Sequence, residues 1–394
     1  MLQRSWLWVL SGAGGVLAAG YGVMFTLLDD FRDEYGIQGA GIGLIIGIGF
    51  VTSFLSQLLL APQADRGHSR ALVRSGFLLS VVGMVVMALG RDLPVLLVGR
   101  IIGGIGVGMA IPAVRRIVIL ANPEEIGSNM GRLLSADVAG FALGPVVSAF
   151  VAPLWGIAAP FWVMAVATAA FIPLLETVHF ADVADPPKER LALDLLRIRP
   201  FAASVVMGSA VFIMIGTFDS LWSLAMDDLR APDLIASLGI TLFALPLVVL
   251  GAPGGRFVQR IGPFRGGALG LTLGSLFMIA YGWLPTAGLM FAVAMFHALS
   301  DGLTVTATSV AAGMVVPDDR QAGAQGLLGG VQVLVAGLTA FLMGTLYESS
   351  GRGLAYTVCG AIMLTLTLTG LWLAGPQARM RGADRHAVAV AVAA

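Results

Sequence analysis

The sequence predicts an all-α integral membrane protein, with twelve transmembrane helices arranged as two six-helix pseudo-repeats. Three observations predict it: apolar blocks long enough to cross a bilayer, an uneven placement of arginine between them, and loop motifs that recur at a nearly constant offset. Of the 394 residues, 57% are hydrophobic and 12% charged, whereas a soluble domain has about 25% charged residues. That leaves too little polar surface to coat a water-soluble globule. The blocks run to about 18–24 residues, enough as helices to cross a hydrocarbon core of about 30 Å. They are apolar all round rather than alternating, which argues against a β-barrel. Helices remain, because each backbone polar group must find its partner within its own segment.

In order, helices are expected at roughly 5–28, 40–61, 72–90, 93–113, 128–151 and 157–178, then at 201–224, 235–253, 264–284, 286–311, 323–347 and 352–374. Met1 to Gly22 has Arg4 ahead of an apolar run and looks like a secretory signal. The run continues to Leu28, too long for a signal core, so it reads as a retained first helix. The longest polar stretch, 179–200, holds Asp185, Pro186, Pro187, Lys188, Glu189 and Arg190 and reads as a linker. It divides the chain into a six-helix bundle (1–178) and a second one with a short tail (201–394).

Basic residues set the expected orientation. Of the 23 Lys and Arg, Arg32, Arg91, Arg230 and Arg352 fall outside and Arg100 within a helix, leaving 18 in or beside cytoplasmic segments if the N-terminus is cytoplasmic. That bias agrees with an even helix count and both termini inside a bacterial-type inner membrane. The outer loops are acidic, with Asp29, Asp30, Asp33 and Glu34 in the first and Asp227, Asp228 and Asp233 in the fourth.

The halves repeat each other. Pro123-Glu124-Glu125 recurs as Pro317-Asp318-Asp319, and Asp65-Arg66 as Gln259-Arg260, both at an offset of 194. Gly131 and Asp137 meet Gly326 and Gln332 at 195. Three correspondences argue for a duplicated unit, and repeats about an axis along the membrane normal suit alternating access around a central site.

Composition also excludes. Cys359 is the single cysteine, so neither an intrachain disulfide nor a thiolate metal site is available. A net charge of zero gives no support for nucleic-acid binding. No nucleophile and base pair, metal cluster or phosphate loop appears, so no enzyme activity, cofactor or metal is expected. The glycines of Arg100-Ile-Ile-Gly103-Gly104-Ile-Gly106-Val-Gly108 do not follow a strand, and close helix packing explains them better than a dinucleotide loop.

Ionisable residues inside the spans are the candidate machinery, because a charge there costs roughly 2.5–3.5 kcal/mol and needs a partner or a wet cavity. Asp137 falls near mid-depth of the fifth helix; His297 and Asp301 lie four residues apart on one face of the tenth. These three, with Arg100, are the candidate proton-coupling residues, since a His beside a carboxylate titrates near physiological pH. The alternatives are a static His297–Asp301 pair and a fixed ion pair between Asp137 and Arg100. In the loop after the second helix, Asp65 beside Arg66 and Arg70 can take hydrogen bonds from a neighbouring element in one conformation and release them in another. With Gln259 and Arg260 these form a candidate gating loop; the alternative is that the arginines only mark topology. Asp219 falls near the outer end of the seventh helix, as a substrate contact of the cavity or a solvated mouth residue, and Glu176 at the inner boundary of the sixth. Tyr21, Met24 and Phe25 of the first helix and Phe212, Met214 and Phe218 of the seventh are candidate lining of an apolar cavity, with lipid-facing packing as the alternative. Gln57 and Gln332 either bond across helices or join that cavity.

At these loops the chain resembles the major facilitator superfamily over nearly its whole length. Ala61-Pro-Gln-Ala-Asp65-Arg66-Gly67-His68-Ser69-Arg70 looks like that family's signature between helices two and three, with Ala61, His68 and Ser69 departing from it. The second copy, Gly255 to Arg265, keeps both glycines but has Gln259 for the acid. Arg100 and its glycines look like the family's buried-arginine motif. Gly131, Gly140, Gly144-Pro145 and Ser148-Ala149 are similar to the spacing that marks its proton-driven exporters, with Ser148-Ala149 in place of two glycines. The resemblance implies a secondary active transporter, expected to be a proton-coupled exporter of small amphipathic or drug-like molecules. The alternatives are a proton-coupled importer of a sugar or organic acid and, in another class, a membrane receptor or scaffold. The expected partners are a small-molecule substrate, protons and the lipid bilayer, with the chain acting as a monomer.

Overall fold

A computed structural model describes residues 2–178, 187 and 191–381. Most of the predicted linker, with His179, Asp185, Lys188, Glu189 and Arg190, and the tail from 382, with Arg385, lie outside the described residues. Of Arg4 and Asp233 only the helical backbone is described.

The α-helices run in chain order as α1 (Leu2–Gly22), α2 (Leu28–Tyr35), α3 (Gly39–Leu60), α4 (Ser69–Leu89), α5 (Leu93–Ala121), α6 (Ile126–Trp155) and α7 (Ala158–Leu175), followed by α8 (Arg199–Asp228), α9 (Asp233–Ile261), α10 (Pro263–Trp283), α11 (Ala287–Thr304), α12 (Ala307–Val315) and α13 (Gln321–Ala374). Among the described residues, 11 segments are long and apolar enough to cross a membrane. The last, Asp318–Arg379, is 62 residues long. A straight helix the length of α13 would run about 80 Å, more than twice a hydrocarbon core. It does not run straight: Gly351, at φ +81, leaves the helical conformation and breaks it.

Large side chains on the outer faces stay uncovered, among them Trp8, Phe150, Phe341 and Trp372, each about 70% exposed. In water this would be an aggregating surface; in lipid it is the normal one. Trp155 and Trp283, at the C-terminal ends of α6 and α10, are also exposed, at the level where amphipathic rings favour the membrane interface.

Four boundaries differ from the sequence expectation. The first helix stops at Gly22, and the acidic "loop" is itself the short helix α2, held by fully buried Phe31 against Phe161, Leu96 and Ile45. The fourth predicted helix runs on to Ala121, because Arg115-Arg116 is followed by another apolar turn, so both arginines lie on α5 rather than in a loop. The eighth runs past its predicted end to Ile261 and carries Gln259. The tenth is broken at Val305–Thr306 into α11 and α12.

Contacts divide the chain into two compact units. The first comprises Met1–Ala121, Ala136–Ala192 and Asp318–Gly330; the second comprises Asn122–Ser135, Leu193–Pro317 and Val331–Ala394. These are not the two halves of the sequence. The first turns of α6 group with the second unit, and those of α13 with the first. Both lead to the paired loop motifs.

Candidate functional site

The first loop is a built junction. After α3 the chain makes a π turn over Ala64–His68, with Gly67 at φ +90, a conformation that a side chain would strain. The turn buries Asp65 to 1% exposure. Arg116 Nε on α5 donates to Asp65 Oδ1 at 3.0 Å, and Arg116 is itself buried. At the start of α13, the backbone N–H of Ala322 donates to Oδ1 at 2.9 Å and that of Gly323 to Oδ2 at 2.7 Å. These are among the orphan donors of a helix N-terminus, where the helix dipole also favours an anion. Ser69, a departure from the family signature, receives Arg116 Nη1 at 3.2 Å and donates to the Ala64 carbonyl at 2.9 Å. Ala61, another departure, packs under Gly326, where a Cβ would meet it.

Of the predicted loop cations, neither Arg66 nor Arg70 holds Asp65. Arg66 is half-buried in non-helical backbone, and Arg70 is exposed and reaches Glu176 at 2.9 Å. Glu176 is therefore more than a boundary, since it also lies 3.7 Å from Arg74 and clasps α4 to the end of α7.

The second loop makes the corresponding contact in neutral form. Gln259 Oε1 accepts from the Gly127 N–H at 2.7 Å, and its Nε2 donates to the Glu124 carbonyl at 2.8 Å. Gly127 stands to Ala322 as Gly131 stands to Gly326, at an offset of 195. Gly131 lies against the backbone of Gly251 and Gly255 against that of Gly127, contacts so close that a Cβ would collide. Arg260 is exposed.

Further along, α6 turns to α1. Gly140 packs against Gly15, Gly144 against Ala19 and Gly22 beside Pro145, and Ser148 Oγ donates to the Val23 carbonyl at 2.6 Å. Small residues here allow backbone contact, and the serine satisfies a carbonyl freed where α1 ends.

Within that seam lies Asp137. Its Oδ1 is buried without a hydrogen-bond partner and lies against Gly14, at 2.5 Å from where a Cβ would stand. Among the described residues it makes no ion pair; its electrostatic neighbour, beyond contact distance, is Arg115 on α5 rather than Arg100. Arg100 is buried elsewhere: its Nε donates to the Ile45 carbonyl at 3.2 Å, its guanidinium lies 4.2 Å over the Tyr21 ring, and Gly49 leaves the space it occupies. A carbonyl and an aromatic face thus replace the expected carboxylate, a desolvated cation–π contact contributing about 2 kcal/mol.

In the second unit, His297 is fully buried. Tyr281 Oη lies 3.0 Å from Nδ1, while Nε2 lies 3.1 Å from Met214 Sδ and 3.5 Å from Asp301 Oδ2. The rings of Phe243 and Phe277 flank it. Asp301 lines a narrow crevice with Met214, Gly270, Thr304 and Thr308. The helical spacing thus does bring His297 and Asp301 together.

The candidate cavity residues divide. Tyr21, Phe25 and Phe212 are half-buried, and Tyr21 and Phe25 join Phe50 and Phe141 in one aromatic cluster. Met24, Met214 and Phe218 are buried in the packing of their own units, Met214 beside the crevice at Asp301. Gln57 is also buried; it donates to Ser53 Oγ at 3.3 Å and packs against Gly329, while Gln332 is buried on α13. Asp219 lies nine residues before the end of α8, deeper than expected, and its side chain is exposed. Sequence reasoning missed Arg115, Arg116, Tyr281, Thr304 and Thr308. For the two arginines the apolar turn that follows them was the available signal; for the others there was none.

Comparison with known proteins agrees with this architecture. The Major Facilitator Superfamily profile matches residues 10–224 and 205–390. Staphylococcus aureus (strain MSSA476) quinolone resistance protein NorA is 25% identical over 223 residues, 53% of this chain and 55% of NorA. The putative uncharacterized transporter YgaY of Escherichia coli (strain K12) is 27% identical over 158 residues, 40% of each chain. The chain thus spans about half the length of the curated relatives it matches. Two solved structures share the fold: the human organic anion transporter MFSD10 (TM-score 0.74, 16% identity, 93% of this chain and 99% of that one) and the proton:xylose symporter XylE (TM-score 0.75, 15% identity, 94% and 95%). With the profile covering nearly the entire length, the chain belongs to the Major Facilitator Superfamily of membrane transporters.

Proposed function

We propose that this chain is a proton-coupled exporter of small amphipathic or drug-like molecules that works by alternating access, as a monomer, in a bacterial-type inner membrane. In this reading the break at Gly351 divides the last segment in two, giving twelve spans in two six-helix repeats, and both termini and the 179–200 linker are cytoplasmic. The carrying observation is the buried, unbonded Oδ1 of Asp137 in the seam of α1 and α6, which makes no ion pair among the described residues and lies within the electrostatic reach of Arg115. A carboxylate in that position is stabilised by taking a proton or by keeping its cation, and a carrier needs a group whose protonation changes the relative stability of two conformations. Asp65 and Gln259 hold the starts of α13 and α6 in one conformation and release them in the other. Export is supported by the glycine spacing of α6 and by the similarity to a protein named for quinolone resistance. A multiply anionic substrate is disfavoured, because embedded cations are few: Arg116 is paired with Asp65, and Arg100 faces a carbonyl and an aromatic ring. The second reading is proton-coupled import of a sugar or organic acid, favoured by the fold shared with a proton:xylose symporter. A receptor or scaffold would have no use for two matched, releasable loops.

Vesicles with an imposed pH gradient, offered a panel of dyes and metabolites, test the proposal, and the direction of accumulation separates export from import. Asp137→Asn or Asp301→Asn is expected to abolish gradient-driven accumulation but leave energy-independent exchange. His297→Gln is expected to displace the pH optimum. Parental accumulation in all three variants would overturn proton coupling through these residues. For sidedness, a cysteine at position 230 should react with a membrane-impermeant reagent from outside and one at 190 should not; the native Cys359 is buried and gives no background.

A further inference from the structure

We propose that the crevice between α8, α10, α11 and α12 is a binding site for one sodium ion, held by the Asp301 carboxylate and the hydroxyl oxygens of Thr304 and Thr308. The crevice lies wholly within the second unit and has room for about one water-sized body. Asp301 is 4% exposed, and among the described residues its ion-pair contact within 4 Å is His297. That contact does not complete its shell. At 3.5 Å it is long, and His297 Nε2 lies closer to Met214 Sδ.

The same stretch of chain supplies oxygen. Thr304 donates its proton to the Ser300 carbonyl at 2.9 Å, so its remaining lone pairs are free to accept a cation. Thr308 is 3% exposed, and its Oγ1 is a buried polar atom with no hydrogen-bond partner. A buried hydroxyl left unbonded beside a carboxylate calls for a ligand that both can hold. The break at Val305–Thr306 ends α11 beside the crevice and brings α12, with Thr308, to it. One carboxylate with neutral oxygens matches a monovalent hard cation. Calcium takes 6–8 oxygen ligands, commonly from several carboxylates, and transition metals favour nitrogen or sulfur ligands. The site shares Asp301 with the proton-coupling reading, so proton and sodium would compete for that carboxylate; the two are kept apart because binding is measured on the purified protein without transport.

The experiment measures the thermal unfolding midpoint of the full-length protein in detergent, titrated with sodium chloride against potassium or choline chloride at equal ionic strength. A saturable, sodium-specific rise of about 2–4 °C is expected. Thr308→Val keeps side-chain shape and removes one ligand, so the rise should shrink or need at least tenfold more sodium; Asp301→Asn should abolish it. Asp137→Asn should retain it. Equal responses to sodium and choline, or an unchanged sodium response in folded Thr308→Val, would overturn the site. Sodium binding with no pH-driven transport would leave the site standing and remove the coupling proposal.

Discussion

The two loop motifs perform one task with different chemistry. Asp65 holds the start of α13 as an anion, neutralised by Arg116 and two backbone donors. Gln259 holds the start of α6 as a neutral amide that accepts from one backbone group and donates to another. The difference follows from what stands opposite. The positions matching Arg116 at offsets of 194 and 195 are Val310 and Ala311, which offer no cation. A carboxylate at 259 would therefore lack a counterpart of Arg116, whereas an amide needs none.

The largest effect is expected where the charged junction is broken from one side. Arg116→Ala leaves Asp65 buried and uncompensated, which costs about 3–5 kcal/mol; a thermal midpoint that barely moves would mean that the α13 N-terminus alone holds the carboxylate. Asp65→Asn keeps acceptor and shape but removes the charge. Transport should fall tenfold or more while folding and substrate binding stay nearly intact, and unchanged transport would return this loop to a topology marker.

At the neutral junction, Gln259→Ala strips partners from the Gly127 N–H and the Glu124 carbonyl, costing about 1–3 kcal/mol. If it costs as much as Arg116→Ala, the two junctions are energetically equal and the charge carries no extra weight. Gln259→Glu makes this junction titratable. A protonated carboxyl can still donate to the Glu124 carbonyl as the amide does; an ionised one cannot and has no counterpart of the buried Arg116. Stability of this variant should be near parental at acid pH and fall as pH rises through carboxyl ionisation, a slope that denaturation at several pH values would reveal. The smallest effect belongs to Glu176→Gln, whose pairs with Arg70 and Arg74 lie in solvent; a loss below about 1 kcal/mol is expected.

The sequence carried the apolar helices, their order and the matched loops well, because block length and a fixed offset each report on a strong constraint. It carried partnership poorly. Arg116 looked like a loop charge because the apolar turn after it was not counted into α5. Asp137 was matched to Arg100 by depth alone, while the rotation of α5 presents Arg115 to it instead. Met24, Met214 and Phe218 could not be sorted from Tyr21 and Phe25, since a helix apolar all round shows no face by composition. Tyr281 reaches His297 from another helix, and no local pattern announces that contact.

The glycines along α6 have a genetic consequence. At Gly131, Gly140 and Gly144 a single added methyl would strike main-chain atoms of α9 or α1, which have no rotamer with which to move aside. At Gly43, Gly47 and Gly103 the same methyl would meet nothing within 4 Å. Codons specifying the same amino acid therefore differ sharply in the variation they tolerate. A drifting population of this gene should accumulate alanine and serine at 43, 47 and 103 while remaining invariant at 131, 140 and 144, so the helix seam could be read from allele frequencies alone.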